Sequence, residues 1–223
     1  MGGGKMIFDT NDHLAQRIRC EEGFEPEVRQ EFERIVSRGV NVVDIGANIG
    51  YYTILAATLA GPDKRVFSFE PQASMLTKLR RNIEANALRN VEVFPCALSD
   101  SPGTVTFNLP SEGMEAFGSM HANGRFKVTK TVEVETHRLD DVLERMGSPK
   151  IGLVKMDAEG AELLILRGAT KLLSSADKPD LIFEANEVNC SPFGYGVFDI
   201  LQYVHSFGYK LRQIDYEDWI AAA

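Results

Sequence analysis

The strongest constraint on how this chain can fold is a hydrophobic period that switches repeatedly along its length. Short apolar runs, Val40 to Ile45, Arg65 to Phe69, Val91 to Cys96, Ile151 to Met156 and Leu181 to Phe183, alternate with segments whose apolar residues recur at helical spacing. Ile54 to Ala60 closes on Gly61 and Pro62, and Met75, Leu76, Leu79 and Ile83 share one face after Pro71. Ala161 to Leu173 and Val197 to Ser206 follow the last two runs, and Val28, Phe32, Ile35 and Val36 after Pro26 add an N-terminal amphipathic helix that Gly39 stops. Strands alternating with helices in this way predict an α/β fold with a doubly wound, mostly parallel sheet, whose ligands sit at the carboxyl ends of the strands.

One stretch breaks the pattern. Thr104 to Phe107 and Phe126 to Val134 alternate with period two, with Phe126, Val128, Val132 and Val134 on one side, which predicts a β-ribbon inserted between strands three and four. The loop between them, Ser111 to Gly124, reaches the ~12 to 15 residues beyond which loops are usually functional, and is expected to act as a lid. The chain therefore reads as a partly flexible leader over residues 1–22 and a single domain over 23–223 with an insertion at 101–136. Its 223 residues, 44% hydrophobic, suffice for one sizeable core, and a net charge of -8 argues against nucleic acid as a partner. No apolar run approaches the ~18 residues of a membrane span, and the start lacks the apolar stretch of a signal peptide, so no membrane partner and a cytoplasmic location are expected. Cys20, Cys96 and Cys190 contain no Cys-x-x-Cys and suggest neither a disulfide framework nor zinc; Cys96 reads as a small buried hydrophobe. Nothing in the pattern sets an oligomeric state.

The first strand runs into a glycine turn, Asp44-Ile45-Gly46-Ala47-Asn48-Ile49-Gly50, and then into Tyr51-Tyr52-Thr53. Such a turn lets a ligand approach the backbone and offers helix N–H groups. Dinucleotides would place a pyrophosphate there; S-adenosylmethionine would bring an ammonium, a carboxylate and a sulfonium. Asp44 favours the second, because like charges near 4 Å cost ~4 kcal/mol at an effective dielectric of 20. The dinucleotide fingerprint fails as well, its third glycine being replaced by the bulky Tyr51. Asn48 in the middle position tolerates left-handed backbone angles. Glu70, in Phe69-Glu70-Pro71 at the end of strand two, is positioned to accept from both ribose hydroxyls. Past strand three, Ala97 backbone or the Ser99 or Asp100 side chain could read an adenine, although Asp100 also suits plain turn chemistry.

Strand four ends in Lys155-Met156-Asp157-Ala158-Glu159-Gly160-Ala161-Glu162, which sets the reacting centre there. Methyl transfer to oxygen is a displacement in which positioning supplies much of the rate and a base removes the hydroxyl proton. Asp157 leads as base or metal ligand, with Glu159 and Lys155 as further catalytic candidates. Glu184 and Asn186 after strand five could join Asp157 around a divalent ion, and such hard oxygen ligands would favour magnesium or calcium over zinc. Competing readings are that Glu159 and Glu162 simply charge the first turn of the next helix and that Lys155 answers a carboxylate inside its strand. His121 and His137 are alternative bases that read more readily as surface histidines.

Val42 to Thr53, Phe69-Glu70-Pro71, Lys155 to Glu162 with Arg167-Gly168-Ala169, and Phe183-Glu184 together resemble the FkbM family of S-adenosylmethionine-dependent methyltransferases, in order from about Gly23 to Gly208. The resemblance implies a class I methyltransferase, Rossmann-like fold and transfer to a hydroxyl of a sugar, polyketide or related small metabolite. Carried over residue by residue, it assigns Asp44, Gly46, Asn48, Gly50 and Glu70 to the cofactor, and Asp157 and Glu184 to the acceptor side. With the flanking positions, the expected cofactor-binding set is Asp44, Gly46, Ala47, Asn48, Gly50, Tyr51, Tyr52, Thr53, Glu70, Pro71, Ala97, Ser99 and Asp157. Two departures stand out. Gly160 occupies the place of the lysine base of metal-dependent catechol-type relatives, and only Asp215 to Ala223 remain for the last strand of the usual antiparallel hairpin, which is therefore expected to be absent or truncated. A nucleotide-dependent oxidoreductase and a non-catalytic S-adenosylmethionine-binding protein remain the competing functions.

Overall fold

A computed structural model describes residues 4–9, 24–111, 114, 117–122, 124 and 127–223. Cys20, Phe126 and the loop residues Glu112, Gly113, Glu115, Ala116 and Asn123 lie outside the described residues.

Helix α1 (Pro26–Val36) buries Val28, Phe32, Ile35 and Val36, the face its sequence spacing marks. It leads into β1 (Asn41–Ile45), α2 (Tyr51–Leu59), β2 (Val66–Phe69), α3 (Ala73–Ala85) and β3 (Val91–Phe94). A second small sheet follows, made of β4 (Ala97–Leu98), β5 (Gly103–Leu109) and β6 (Lys130–His137) in the order β4-β6-β5. The remaining elements are α4 (Leu139–Arg145), β7 (Ile151–Met156), α5 (Glu162–Arg167), α6 (Thr170–Leu173), β8 (Asp180–Glu184), α7 (Glu187–Cys190), α8 (Val197–Ser206), β9 (Lys210–Gln213) and β10 (Asp218–Ala222).

The main sheet has seven strands in the order β3-β2-β1-β7-β8-β10-β9, parallel except for β10, which runs antiparallel to both its neighbours. Both faces are covered, so the central strands carry apolar residues on alternate sides. Val43, Ile45, Phe67, Phe69, Val154, Met156 and Phe183 face the core shared with α4, α5 and α8, while Val42, Val66, Leu153, Ile182 and Ile220 face α1 and α2.

Three expectations need adjustment, and the structure adds the placement of one segment. The C-terminal hairpin is complete, because Asp215 accepts from Glu217 N and Asp218 N and turns the chain within a few residues. Helix α2 starts at Tyr51 rather than Ile54, since Gly50, with φ 95°, reverses the chain just before it. The segment after strand four splits into α5 and α6. Gly168 sits against Ser99, whose carbonyl oxygen would lie 2.1 Å from a Cβ there, and buried Asp140 accepts from Lys171 N and Leu172 N to start the new helix. Within the leader, residues 4–9 lie against α3, where Lys5 and Ile7 N–H groups donate to Asn86 and Asn82.

Candidate functional site

The site is built by sheet register. Parallel pairing aligns Ser68, Asp44 and Lys155 in one row across β2, β1 and β7. It is a polar row between apolar ones, with Phe67, Val43 and Val154 in the row before it. The next row, Phe69, Ile45, Met156 and Phe183, is apolar. One residue further on, Glu70, Gly46, Asp157 and Glu184 form the rim at the strand ends. Residues two apart share a face, so Lys155 rises beside Asp157 and its Nζ stands 3.2 Å from Oδ2.

Asp44 is buried, and Thr53 Oγ1 donates to its Oδ2 at 2.6 Å while sharing a hydrogen bond with Ser68 Oγ. Burial raises the Asp44 pKa, with Lys155 and Thr53 working against that rise. For Lys155 burial opposes the ammonium, but Asp157, Glu25, Asp44 and Asp218 outweigh it and hold the lysine charged. Its Nζ also lies 4.8 Å from the centre of the Tyr52 ring, whose hydroxyl donates to Glu25 at 2.8 Å.

The two glycines that bound the turn have no room for a side chain. A Cβ on Gly46, at φ +75°, would lie 1.8 Å from the Asp157 carbonyl oxygen, and one on Gly50 would lie 2.5 Å from Leu79 Cδ1. Asn48 adopts φ 53°, and its N–H donates to Glu70 Oε2 at 2.9 Å. Glu70 Oε1 accepts from Gln72 N at 2.8 Å, and burial raises the Glu70 pKa to about 7.

Two hollows meet over this rim. Gly46, Asn48, Asp157 and Glu159 border both. The first is closed by Glu70, Pro71, Ala97, Leu98 and Phe107, and the second by Asp44, Tyr51, Tyr52, Lys155, Glu184 and Glu25. Phe117 and Met120 of the inserted loop reach them too.

Of the residues expected from sequence, Asp44, Gly46, Ala47, Asn48, Tyr51, Tyr52, Glu70, Pro71, Ala97, Lys155, Asp157, Glu159 and Glu184 border the hollows. Thr53 and Gly50 act one layer behind, through Asp44 and the turn. Ser99 does not line them; its N–H donates to the His137 carbonyl in the small sheet, and its hydroxyl lies 3.4 Å from Asp100. Neither alternative histidine borders the hollows: exposed His121 meets the Phe193 ring edge-on, and His137 faces Glu135. Buried Cys96 lines the first hollow, and burial raises its pKa to about 11, which fits an inert thiol.

The expected metal set does not fit. Asn186 caps α7, its amide oxygen accepting from Asn189 N at 2.8 Å while its nitrogen donates to Glu184 Oε1 at 2.5 Å. Asn189 Nδ2 donates to both Glu184 and Glu159. An asparagine that presents N–H to the shared acid is turned away from ligating a cation with it. Among the described residues no group of three or more His, Cys, Asp or Glu side chains is arranged to hold a metal ion. Burial instead holds Glu184 well above the usual carboxylate range, with Asp157 adding to the effect.

Sequence reasoning missed Glu25, Gln72 and Asp218. Gln72 follows Glu70 by two residues and was within reach of the same motif. Glu25 carries no local signal. Asp218 reaches the rim as the register partner of Glu184 on β10, the strand thought doubtful, and burial raises its pKa to about 8 against the pull of Lys155.

The model of the methyltransferase FkbM domain matches residues 44–211, from the acid of β1 to β9. The chain belongs to the FkbM methyltransferase family. Methyltransferase sdnD of Sordaria araneosa is 34% identical over 57% of this chain, and 31-O-demethyl-FK506 methyltransferase FkbM of Streptomyces tacrolimicus is 28% identical over 66%. The alignments span 59% and 66% of those two proteins, so the chain matches about three fifths to two thirds of their lengths. A SAM-dependent methyltransferase structure from Aquifex aeolicus superposes with a TM-score of 0.50 at 15% identity, covering 96% of this chain and 97% of that one. At that identity the likeness concerns the fold, which is the class I methyltransferase arrangement. No helix among the described residues is long and apolar enough to cross a membrane.

Proposed function

We propose that this FkbM-family chain transfers the methyl group of S-adenosylmethionine to a hydroxyl oxygen of a small metabolite. The observation that carries the reading is the acidic character of the rim: Asp44, Glu70, Asp157 and Glu159 line the hollows with Lys155 as the cation among them. That surround attracts a sulfonium and an ammonium and repels a diphosphate. S-adenosylmethionine, once bound, supplies an electrophilic methyl carbon that an oxygen nucleophile can attack in line.

The chain's own groups divide the work. Glu70 would accept ribose hydroxyls through lone pairs left over from its two backbone bonds. Ala97, Leu98 and Phe107 offer apolar walls for a flat base. Asp44, braced by Thr53 and Ser68, sets the negative potential beside the turn. Asp157 and Glu159 border both hollows, where donor and acceptor must meet, and are the groups proposed to orient the acceptor hydroxyl and receive its proton. Lys155 keeps Asp157 aimed through the 3.2 Å contact between its Nζ and Asp157 Oδ2. Oxygen as the acceptor atom is supported by the printed name of the Streptomyces relative.

The test is calorimetric titration of S-adenosylmethionine into the wild type and Asp44→Asn. The variant removes a buried charge while keeping an acceptor for Thr53, and the expected loss is at least tenfold in affinity, about 1.4 kcal/mol. Equal affinities would remove the electrostatic basis of the proposal.

A further inference from the structure

We propose that the N-terminal segment Gly4–Asp9 sets the geometry of the cofactor turn through Asn82, a positioning residue that links the two. The inference rests on the methyltransferase reading only in assigning that turn to a cofactor.

Asn82 is fully buried on α3 and both ends of its amide are engaged. Oδ1 accepts from Ile7 N at 2.8 Å, and Nδ2 donates to the Ile49 carbonyl at 2.9 Å. The Gly50 N–H, on the other side of the same peptide, donates to Ala47 O at 2.8 Å, so the Ile49–Gly50 unit is pinned at both ends. One turn earlier on α3, Leu79 fills the space beside Gly50. Helix α3 thus grips the turn by one apolar contact and one amide.

The segment is held over successive odd residues. Lys5 exchanges hydrogen bonds with the Asn86 amide at 2.6 and 2.7 Å, Arg81 donates to the Ile7 carbonyl at 3.2 Å, and Asp9 pairs with Arg81 and Lys78 at 3.2 and 3.4 Å. The exposed ion pairs contribute little; the amide contacts carry the coupling. An asparagine amide can turn over, exchanging its donor and acceptor ends. The Ile7 N–H prevents this, because a flipped amide would place Nδ2 against that donor and Oδ1 against the Ile49 carbonyl. Removing the segment lifts half of that restraint and loosens the turn that faces Glu70 and the hollows.

Three variants test the coupling: deletion of residues 1–9, Ile7→Pro, which removes the N–H in question, and Asn82→Asp. Two readouts are taken, hydrogen exchange at the Asn48 to Gly50 amides in ligand-free protein, and the Kd for S-adenosylhomocysteine. The deletion and Ile7→Pro are each expected to speed exchange about fivefold and weaken binding about three- to tenfold, the scale of one lost hydrogen bond. Adding either to Asn82→Asp should cause little further loss, since all act through one amide. Asn82→Asp perturbs a fully buried position, so the deletion and Ile7→Pro, which leave the core intact, decide the outcome. If both leave exchange and affinity within twofold of wild type, the inference is wrong. Failure of the wild type to bind S-adenosylhomocysteine would count against the methyltransferase reading instead, and the exchange measurement would still decide the coupling.

Discussion

Glu70→Gln removes one charge and one acceptor from the site while keeping its shape. Both carboxylate oxygens already accept a backbone N–H, from Asn48 at 2.9 Å and from Gln72 at 2.8 Å. Glutamine has a single acceptor oxygen, so its amide nitrogen must face one of those donors. A hydrogen bond to a charged acceptor contributes roughly 1.5 to 3 kcal/mol, and about 1.4 kcal/mol is a factor of ten. The expected loss of S-adenosylmethionine affinity is therefore about 10- to 100-fold, measured by calorimetry at pH 8, where the wild-type acid is mostly ionised. The pH dependence gives a second reading. Burial raises Glu70 to about 7 in the empty protein, so below that pH it carries a proton. A ligand that donates hydroxyls and brings positive charge favours the carboxylate, so binding expels that proton and wild-type affinity falls as pH drops below about 7, by up to tenfold per pH unit. Glu70→Gln has no such proton, and this contribution vanishes. A variant within twofold of wild type at pH 8, or one that keeps the wild-type pH profile, would refute the reasoning.

Glu162, buried in the first turn of α5 and accepting from Ala158 N, also has its pKa raised by burial to about 7 from 4.5. The folded state therefore holds this proton more tightly, and the stability it contributes is full below about 4.5 and is lost as pH rises to about 7, roughly 3 kcal/mol in all. Glu162→Gln should flatten the fall of Tm between those limits, and an unchanged slope would count against it. Gly46→Ala should abolish cofactor binding, because its Cβ would meet the Asp157 carbonyl at 1.8 Å, whereas Gly61→Ala, with nothing within 4 Å, should retain it; normal binding by the first would show that the turn is looser than described. Methyl transfer should survive exhaustive chelation, since Asn186 presents its amide nitrogen to Glu184; a large loss restored by magnesium would return a metal to the site.

Much of the fold was legible because one-dimensional periodicity reports it. The parallel strands are buried on both faces and read as continuous apolar runs, α1 shows its buried stripe, and the ribbon shows period two. The glycine turn was legible for a similar reason: left-handed backbone and close approach restrict residue type at Gly46, Asn48 and Gly50. The orientation of Asn186 in the expected metal set was not legible, because ligand types in suitable order say nothing about which way an amide faces. Ser99 does not line the hollows because it lies one residue beyond the strand that delivers Ala97 and its N–H bonds into the small sheet. The C-terminal hairpin was not legible because its strands are short and β10 is held by pairing with β8, which local pattern does not contain.

By itself, then, the sequence determined the alternation of elements, the place of the turn and the acids at the strand ends, because backbone sterics and apolar periodicity act on neighbouring residues. Only the tertiary structure decided that Ser68, Asp44 and Lys155 form one row, that Asp218 and Glu25 join the rim, and that Asn82 ties the first residues to the turn. Those relations depend on strand register and on contacts between residues distant in sequence, and the energies that select them exist only once the sheet has assembled.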